Sequence, residues 1–146
     1  MKTKILITGG AGYIGSHTVI SLLKAGYTPV IVDNFCNSQP WILKQIQDIT
    51  GQNIKSYELD CTSFEDLDEV FKEEQFGGII HFAALKAVGE SVTEPLKYYK
   101  NNIGSLVNII GLMSKYNVPN LVFSSSCTVY GEADYLPVDE QHPIKT

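Results

Sequence analysis

The sequence contains no arginine, and all eleven of its basic residues are lysines. Charge of either sign is sparse, because charged residues make up 18% of the 146 and the net charge at pH 7 is -5. A weakly acidic chain has no general electrostatic attraction to nucleic acid or to an anionic membrane surface. We therefore expect neither nucleic acid nor a membrane among its partners.

Cysteine is scarce as well. The three cysteines, Cys36, Cys61 and Cys127, lie far apart and form no C-x-x-C pair, which argues against a disulfide framework or a metal site. No apolar run approaches the roughly 20 residues that span a bilayer. The first residues run into glycines too soon to form a signal peptide. We therefore expect a cytoplasmic protein without a bound metal.

Short apolar runs alternate with stretches of helical periodicity. The runs cover residues 4–8, 29–33, 54–59, 78–82 and 120–124. Most are almost continuously apolar, which is typical of parallel strands covered by helices on both faces. Helical stretches lie between them, one from Ile14 to a stop at Gly26 and one after the acidic segment 63–66. The alternation predicts an α/β fold with a doubly wound parallel sheet, in one domain comprising residues 1–146.

The last predicted helix begins near Thr93, has Pro95 in its first turn and ends at Asn117. Its apolar residues recur at helical spacing and form one face: Leu96, Tyr99, Ile103, Leu106, Val107, Ile110 and Met113. The run that follows would be the fifth strand and, with no sixth neighbour, the edge of the sheet. An apolar edge favours pairing with a second copy, so we expect self-association or low solubility of the chain.

A glycine-rich turn links the first run to the first helical stretch. Gly9, Gly12 and Gly15 have the spacing G-x-x-G-x-x-G. The first glycine allows a tight turn, the second lets a pyrophosphate approach the backbone, and the third permits close packing of the helix. The N–H groups at the start of the helix favour an anion. Because the turn stands between a strand and a helix, the pattern predicts a dinucleotide-binding site.

Asp33 ends the second apolar run, eighteen positions after Gly15. This is close to the roughly 20 expected for the acid that binds the adenosine ribose. A carboxylate there accepts hydrogen bonds from ribose hydroxyls and repels a 2′-phosphate, and the sequence has no arginine to bind one. Asn34, Asn37 and Ser38 can add donors from the following loop. The pattern favours NAD over NADP.

The glycine spacing departs from the G-x-G-x-x-G of ordinary dehydrogenases and resembles the extended short-chain dehydrogenase/reductase family, which has a Rossmann-type NAD-binding domain. Within that family, four stretches are similar to the UDP-hexose 4-epimerases: GGAGYIGSH at 9–17, DNFCNS at 33–38, HFAALKAVGES at 81–91 and SSSCTVYG at 124–131. The segment from Leu85 to Ser91 separates these epimerases from dehydratases and decarboxylases. The resemblance covers essentially the whole chain.

The resemblance implies NAD as the cofactor, a UDP-hexose as the substrate and a homodimer as the full-length assembly. Residues 13–14 would contact the pyrophosphate and residues 33–38 the adenosine ribose, while residues 60–61 would flank the adenine and residues 82–86 would lie beneath the nicotinamide half. The implied cofactor-binding set is Gly9, Gly12, Tyr13, Ile14, Gly15, Asp33, Asn34, Phe35, Cys36, Asn37, Ser38, Asp60, Cys61, Phe82, Ala83, Ala84, Leu85, Lys86, Asn102 and Ser124. Ser126 is implied as the catalytic hydroxyl, in contact with the substrate.

Two features depart from the family's pattern. Ala84 stands where many relatives have glycine, which adds one methyl group beside the cofactor. The stretch at 101–105 is one residue shorter than usual, and a deletion in a helix rotates the residues after it by roughly 100°. Since the apolar face keeps its phase from Tyr99 to Met113, we expect an intact helix that presents Asn102 to the cofactor.

None of the three histidines is expected to be a ligand or a base. His81, inside an apolar run, is interpreted as a core histidine whose ring nitrogens are satisfied. We expect His17 on a helix face and His142 in a polar loop.

The family's chemistry requires a tyrosine with a lysine four positions later, where the tyrosine is the acid/base and the lysine ammonium lowers its pKa. None of the eight tyrosines has a lysine at that distance. In relatives the pair follows a loop like residues 130–146. We therefore expect a chain cut after its fifth strand, before this pair and the smaller sugar-nucleotide domain, and inactive alone.

In the full enzyme, the resemblance implies that the tyrosine, helped by Ser126, takes the proton of the sugar 4-OH as hydride passes from C4 to NAD. The 4-keto sugar would turn over and receive the hydride on its other face, which interconverts UDP-glucose and UDP-galactose. Two alternatives stay open. One is another NAD-dependent sugar-nucleotide enzyme such as a 4,6-dehydratase, and the other is a non-catalytic nucleotide-binding fragment.

Overall fold

The computed structural model describes residues 2–144, apart from the side chain of Cys127. Its strands are β1 (Lys4–Thr8), β2 (Thr28–Asp33), β3 (Lys55–Glu58), β4 (Phe76–His81) and β5 (Leu121–Phe123). All neighbours pair in parallel, in the order β3-β2-β1-β4-β5. The predicted doubly wound sheet is confirmed, and β5 lies at its edge as expected.

The helices cover both faces of this sheet. They are α1 (Tyr13–Lys24), α2 (Trp41–Thr50), α3 (Phe64–Glu73), α4 (Val88–Thr93), α5 (Pro95–Tyr98) and α6 (Gly104–Tyr116), with a π-helical turn at Tyr99–Ile103 and a 3₁₀ turn at Cys127–Tyr130. Helix α2, which begins directly after Pro40, was not predicted from the sequence. The four-residue spacing of Ile42 and Ile46 was the available signal, because Ile46 is buried and Ile42 packs beside it.

Two apolar cores lie on opposite faces of the sheet, and the alternation of side chains along each strand fills both. On β2, Val30 and Val32 join the core that includes Leu67 of α3 and Ile109 of α6. Ile31, between them, joins the core that contains Val19 of α1 and Ile46 of α2. This burial on both faces explains why the strands read as nearly continuous apolar runs.

The last long helix differs from its prediction in two respects. It begins with α5, widens at the π-helical turn and continues as α6, so its regular α-helical geometry is interrupted at Tyr99–Ile103. Its predicted apolar face points largely to solvent: the exposed fractions are 72% for Leu96, 63% for Tyr99, 52% for Ile103, 60% for Val107 and 51% for Ile110. The buried positions of α6 are Ser105, Ile109 and Leu112. Over residues 2–144, no helix is both long enough and apolar enough to cross a membrane.

Candidate dinucleotide site

The candidate site lies at the carboxyl ends of the central strands. β1 lies between β2 and β4, and the chain crosses from one side of β1 to the other after β3. In open α/β sheets, ligands bind in the crevice at such a reversal of strand order. The strand register places Thr8 beside both Val32 and His81, so the segments that follow β1, β2 and β4 meet here.

The glycine turn closes so tightly that a side chain would clash with backbone atoms at two of its positions. Gly9 has a φ of 68°, and a Cβ there would lie 2.9 Å from the backbone nitrogen of Ala83. A Cβ on Gly15 would lie 2.2 Å from the carbonyl oxygen of Gly9. At Gly12 the added atom would meet only the same oxygen, at 3.2 Å, within a 4 Å radius. Gly9 and Gly15 therefore serve the turn's own packing, and Gly12 leaves its backbone open to approach.

The amino end of α1 follows this turn directly. Gly12 is the N-cap and has no side chain to accept hydrogen bonds from the first-turn amides. The first helical hydrogen bond runs from Ser16 N–H to the Gly12 carbonyl. The amides of residues 13–15 therefore have no carbonyl partner within the helix. Tyr13 is 83% exposed and Ile14 51% exposed. The helix start thus presents free N–H donors, the usual arrangement for binding a phosphate.

Asp33 joins the end of β2 to the glycine turn. Its Oδ2 accepts a hydrogen bond from Ala11 N–H at 2.9 Å. Its Oδ1 accepts from Phe35 N–H at 2.9 Å and from the Ser38 hydroxyl at 2.8 Å. The side chain is nearly buried, yet a carboxylate has about four acceptor sites, so one on Oδ2 remains for a ligand. Ala11, whose amide fixes this carboxylate, was not predicted as a site residue.

Asp60 and Cys61 follow β3 and differ in exposure. Burial alone would raise the pKa of Asp60, but bonds from the Thr62 amide at 2.8 Å, the Thr62 hydroxyl at 2.7 Å and the Asn34 amide group at 2.8 Å hold that pKa below its ordinary value. Cys61 is only 6% exposed, and burial, with the charges of Asp60 and Asp33, raises the pKa of its thiol to about 12. Asp60 is therefore an ionised acceptor, whereas Cys61 is a neutral core residue.

A crevice of about 990 Å³ opens beside these carboxyl ends. Its walls come from the segments after β2, β3 and β4 and from the helix that includes the π-helical turn. The lining residues are Asn34, Cys36, Asn37, Asp60, Thr62, Leu85, Glu90, Leu96, Lys97, Lys100, Asn101 and Gly104. The strand-end members other than Thr62 were predicted from the sequence, whereas the lining residues on the helix were all missed, because only the folded chain shows which side of that helix faces the sheet.

Asn102 lies on the π-helical turn and holds the segment after β4. Its Oδ1 accepts from Leu85 N–H at 2.8 Å, and its Nδ2 donates to the Leu85 carbonyl at 2.8 Å. Asn101 Nδ2 also donates to that Oδ1, at 2.9 Å. Most of the bonding capacity of Asn102 is thus used within the protein.

The remaining predicted residues lie around this framework. Phe82 and Ala83 are half-buried, and Ala84 and Lys86 are exposed. The Ser124 amide donates to the His81 carbonyl at 3.2 Å. Ser126 caps the 3₁₀ turn, and its hydroxyl lies 2.7 Å from that of Thr128. The structure brings together the glycine turn, the Asp33 loop, the segment 82–86 and Asn102, whereas the Ser126 hydroxyl bonds within its own turn.

The histidines lie largely as predicted. His81 is 2% exposed, its ring nitrogens contact the hydroxyls of Thr8 and Ser105, and burial lowers its pKa to about 4. His17 is exposed on α1. His142 lies in a loop, as predicted, but it is only 3% exposed and packs between Tyr130 and Tyr135. Over residues 2–144, no group of three or more potential metal ligands clusters in space.

Comparison with known proteins identifies the family. The model of the NAD dependent epimerase/dehydratase family matches residues 5–146. UDP-glucose 4-epimerase from Bos taurus is 50% identical over 98% of this chain, and its counterpart from Dictyostelium discoideum is 52% identical over 97%. UDP-glucose 4-epimerase from Bifidobacterium longum, solved in complex with NAD+ and UDP, superimposes with a TM-score of 0.94 at 45% identity over 98% of this chain.

These relatives are longer proteins. The chain spans 43% of the bovine enzyme, 41% of the Dictyostelium enzyme and 43% of the Bifidobacterium structure. The shared part contains the glycine turn, Asp33 and the crevice at the strand ends. On the match of its residues 5–146 to the family model, the chain belongs to the NAD dependent epimerase/dehydratase family.

Proposed function

We propose that this chain binds NAD across the carboxyl ends of β2, β1 and β4. The open backbone at Gly12 and the free amides of residues 13–15 suit the pyrophosphate. The unfilled acceptor site on Asp33 suits a ribose hydroxyl, and the crevice beside Asp60 has room for the adenine. A dinucleotide that crosses β1 from Asp33 reaches the segment 82–86 next, so its nicotinamide half lies there.

The same geometry favours NAD over NADP. A 2′-phosphate would stand beside the Asp33 carboxylate, and repulsion at about 4 Å costs roughly 1–4 kcal/mol depending on the local dielectric. No arginine is available in the sequence to offset it. Equilibrium titration with both cofactors tests this preference, and equal affinities would contradict it.

We further propose that the chain is the cofactor-binding part of a UDP-glucose 4-epimerase. The observation that carries this proposal is the agreement at about half of all positions with UDP-glucose 4-epimerases over nearly the whole chain. Bound NAD would supply a hydride acceptor for C4 of the hexose. The chain's own residues would hold the pyrophosphate at the helix start, fix the ribose at Asp33 and keep the segment 82–86 against the glycine turn. Ser126 would hydrogen-bond the reacting sugar hydroxyl.

Activity requires an acid/base that this sequence lacks. None of its tyrosines has a lysine four positions later, so the 146-residue chain should not interconvert UDP-glucose and UDP-galactose. A coding region that continues past Thr146 should contain a Tyr-x-x-x-Lys pair, and the longer product should be active and support growth of epimerase-deficient cells on galactose. Turnover by the 146-residue chain alone, or an inactive longer product that contains the pair, would refute the proposal.

We propose a homodimer, supported by the outward apolar stripe of Leu96, Tyr99, Ile103, Val107 and Ile110. Each of these side chains is more than half exposed, and a contiguous apolar surface on a helix marks an interaction site.

A cytoplasmic location fits the free thiols of Cys36 and Cys61, and a fluorescent fusion that localises to another compartment would exclude it.

Substitution of Ile110 by glutamate tests the stripe. We expect the dimer to dissociate, with a change in the free energy of unfolding of less than about 0.5 kcal/mol for the monomer because Ile110 is exposed. Ile49→Glu is the matched control, since Ile49 is 66% exposed on α2. Sedimentation equilibrium should give a monomer mass for Ile110→Glu only. Association that persists in Ile110→Glu would point to the edge strand β5 instead.

A further inference from the structure

The buried ring of His81 links two parts of the candidate site. Nδ1 lies 2.6 Å from the Thr8 hydroxyl at the end of β1, and Nε2 lies 3.4 Å from the Ser105 hydroxyl in α6. The ring stacks on Phe123 of β5 with 6.0 Å between centroids. His81 therefore touches the sheet centre, the sheet edge and the helix that follows the π-helical turn.

The hydrogen bonds run in one direction. Ser105 has a single hydroxyl proton, and the Asn102 carbonyl oxygen, 3.3 Å away, can only accept it; both contacts of Ser105 are therefore hydrogen bonds at once only if Ser105 accepts from His81. His81 must then carry its proton on Nε2. Because the ring is neutral at pH 7, with a pKa lowered to about 4 by burial, Nδ1 accepts from Thr8. The Thr8 oxygen in turn accepts from Ala83 N–H at 3.3 Å.

This series of hydrogen bonds, from Thr8 through His81 and Ser105 to Asn102, holds the segment 82–86 at both of its ends. At one end Thr8 binds the amide of Ala83. At the other end the chain reaches the backbone of Asn102, whose side chain binds both the amide and the carbonyl of Leu85. The segment packs closely against the glycine turn, since a Cβ on Gly9 would lie 2.9 Å from Ala83 N.

We propose that His81 is a positioning residue that sets the segment 82–86 for the nicotinamide half of the dinucleotide, through Thr8 on one side and Ser105 with Asn102 on the other. The inference rests on the proposed NAD binding and adds a residue that does not touch the ligand. The amides of Ala83 and Leu85 are the two points at which the segment is held. The hydrogen bonds that connect Thr8, His81, Ser105 and Asn102, here called the relay, make these two points move together. The adenosine half, bound at Asp33 and the helix start, lies outside this relay.

The direction of the relay is measurable without any ligand. In a spectrum of the chain labelled with ¹⁵N in its imidazole rings, His81 should show the neutral tautomer protonated on Nε2. The tautomer protonated on Nδ1, or a charged ring at pH 7, would overturn the inference.

The effect on binding is tested with Ser105→Ala, which breaks the relay while keeping a good helix former. Ser114→Ala on the same helix is the control, because Ser114 is exposed. We expect Ser105→Ala to weaken NAD binding by about 2- to 10-fold, the effect of one lost hydrogen bond, and to leave the affinity for ADP unchanged. ADP carries the adenosine ribose and the diphosphate but has no nicotinamide half.

The two probes separate the possible outcomes. Equal weakening of NAD and ADP would mean a general structural defect and would overturn the inference, as would unchanged NAD affinity. If the wild-type chain bound neither probe, the proposed function would fail. In that case hydrogen exchange at the Ala83 and Leu85 amides, expected to be faster in Ser105→Ala than in Ser114→Ala, would still decide the positioning role.

Discussion

Replacement of Gly15 by alanine should weaken NAD binding by about 100-fold or more, since the amides proposed to bind the pyrophosphate move with the turn and each charge-assisted hydrogen bond contributes about 1.5–3 kcal/mol. The new Cβ would lie 2.2 Å from the Gly9 carbonyl oxygen and 2.8 Å from the Gly10 Cα. Both are backbone atoms, so the whole turn must shift. We expect overpacking to lower the free energy of unfolding by about 1–3 kcal/mol. Denaturant titration and calorimetric titration with NAD measure the two effects.

The control is a glycine in a helix that has room for a methyl group. Gly111 lies in α6, and a Cβ there would meet only Phe64, at an ordinary 3.7 Å. Gly111→Ala should stabilise the chain by about 0.5–1 kcal/mol, because alanine is the better helix former. Substitution of glycine by alanine should thus lower the free energy of unfolding at position 15 and raise it at position 111. A Gly15→Ala variant as stable as Gly111→Ala, with normal NAD affinity, would show that the turn is not packed as described.

Asp33→Ala should produce the second large effect, on stability and on cofactor preference together. It removes the acceptor for Ala11 N–H, Phe35 N–H and the Ser38 hydroxyl. Each buried donor left without a partner costs about 1–3 kcal/mol, so the free energy of unfolding should fall by roughly 2–5 kcal/mol. NAD should bind about 10- to 100-fold more weakly, because a charge-assisted bond to the ribose is lost.

Asp33→Asn separates the charge from the packing. The amide keeps the shape and one acceptor oxygen of the carboxylate but no longer repels a 2′-phosphate. The affinity for NADP should therefore fall less than the affinity for NAD, and the ratio of NAD to NADP affinity should decrease. The control is Asp48→Asn, since Asp48 pairs with Lys44 on the exposed face of α2, where such pairs contribute about 0.3–0.5 kcal/mol. An unchanged ratio of NAD to NADP affinity in Asp33→Asn would contradict the role assigned to this carboxylate.

The glycine turn and Asp33 could be predicted because their geometry follows from local spacing. Three glycines between a strand and a helix make a tight turn wherever the helix packs, and an acid at the end of the next parallel strand arrives at the same edge of the sheet. The strands were predictable for a similar reason, since burial on both faces requires continuous apolar runs. The order β3-β2-β1-β4-β5 agrees with the doubly wound fold that this alternation predicts.

Other features depend on contacts between residues far apart in the sequence. The apolar stripe from Leu96 to Ile110 has helical spacing, but spacing alone does not show which face meets the sheet. Packing against β4 and α3 buries Ile109 and Leu112 instead. Asn102 was expected to contact the cofactor, and that remains a prediction, yet the structure shows its amide bound to Leu85. The π-helical turn brings that amide to the segment after β4.

The class of fold, the glycine turn and the acid opposite it are encoded in short-range periodicity and residue type, so the amino-acid pattern is enough to predict them. How these parts are held together depends on contacts between distant residues. The bond from Ala11 to Asp33 and the relay from Thr8 through His81 to Ser105 join residues 22 to 73 positions apart. Such contacts form only once the parallel strands lie side by side, since a long crossover connection separates each strand from the next one in the chain.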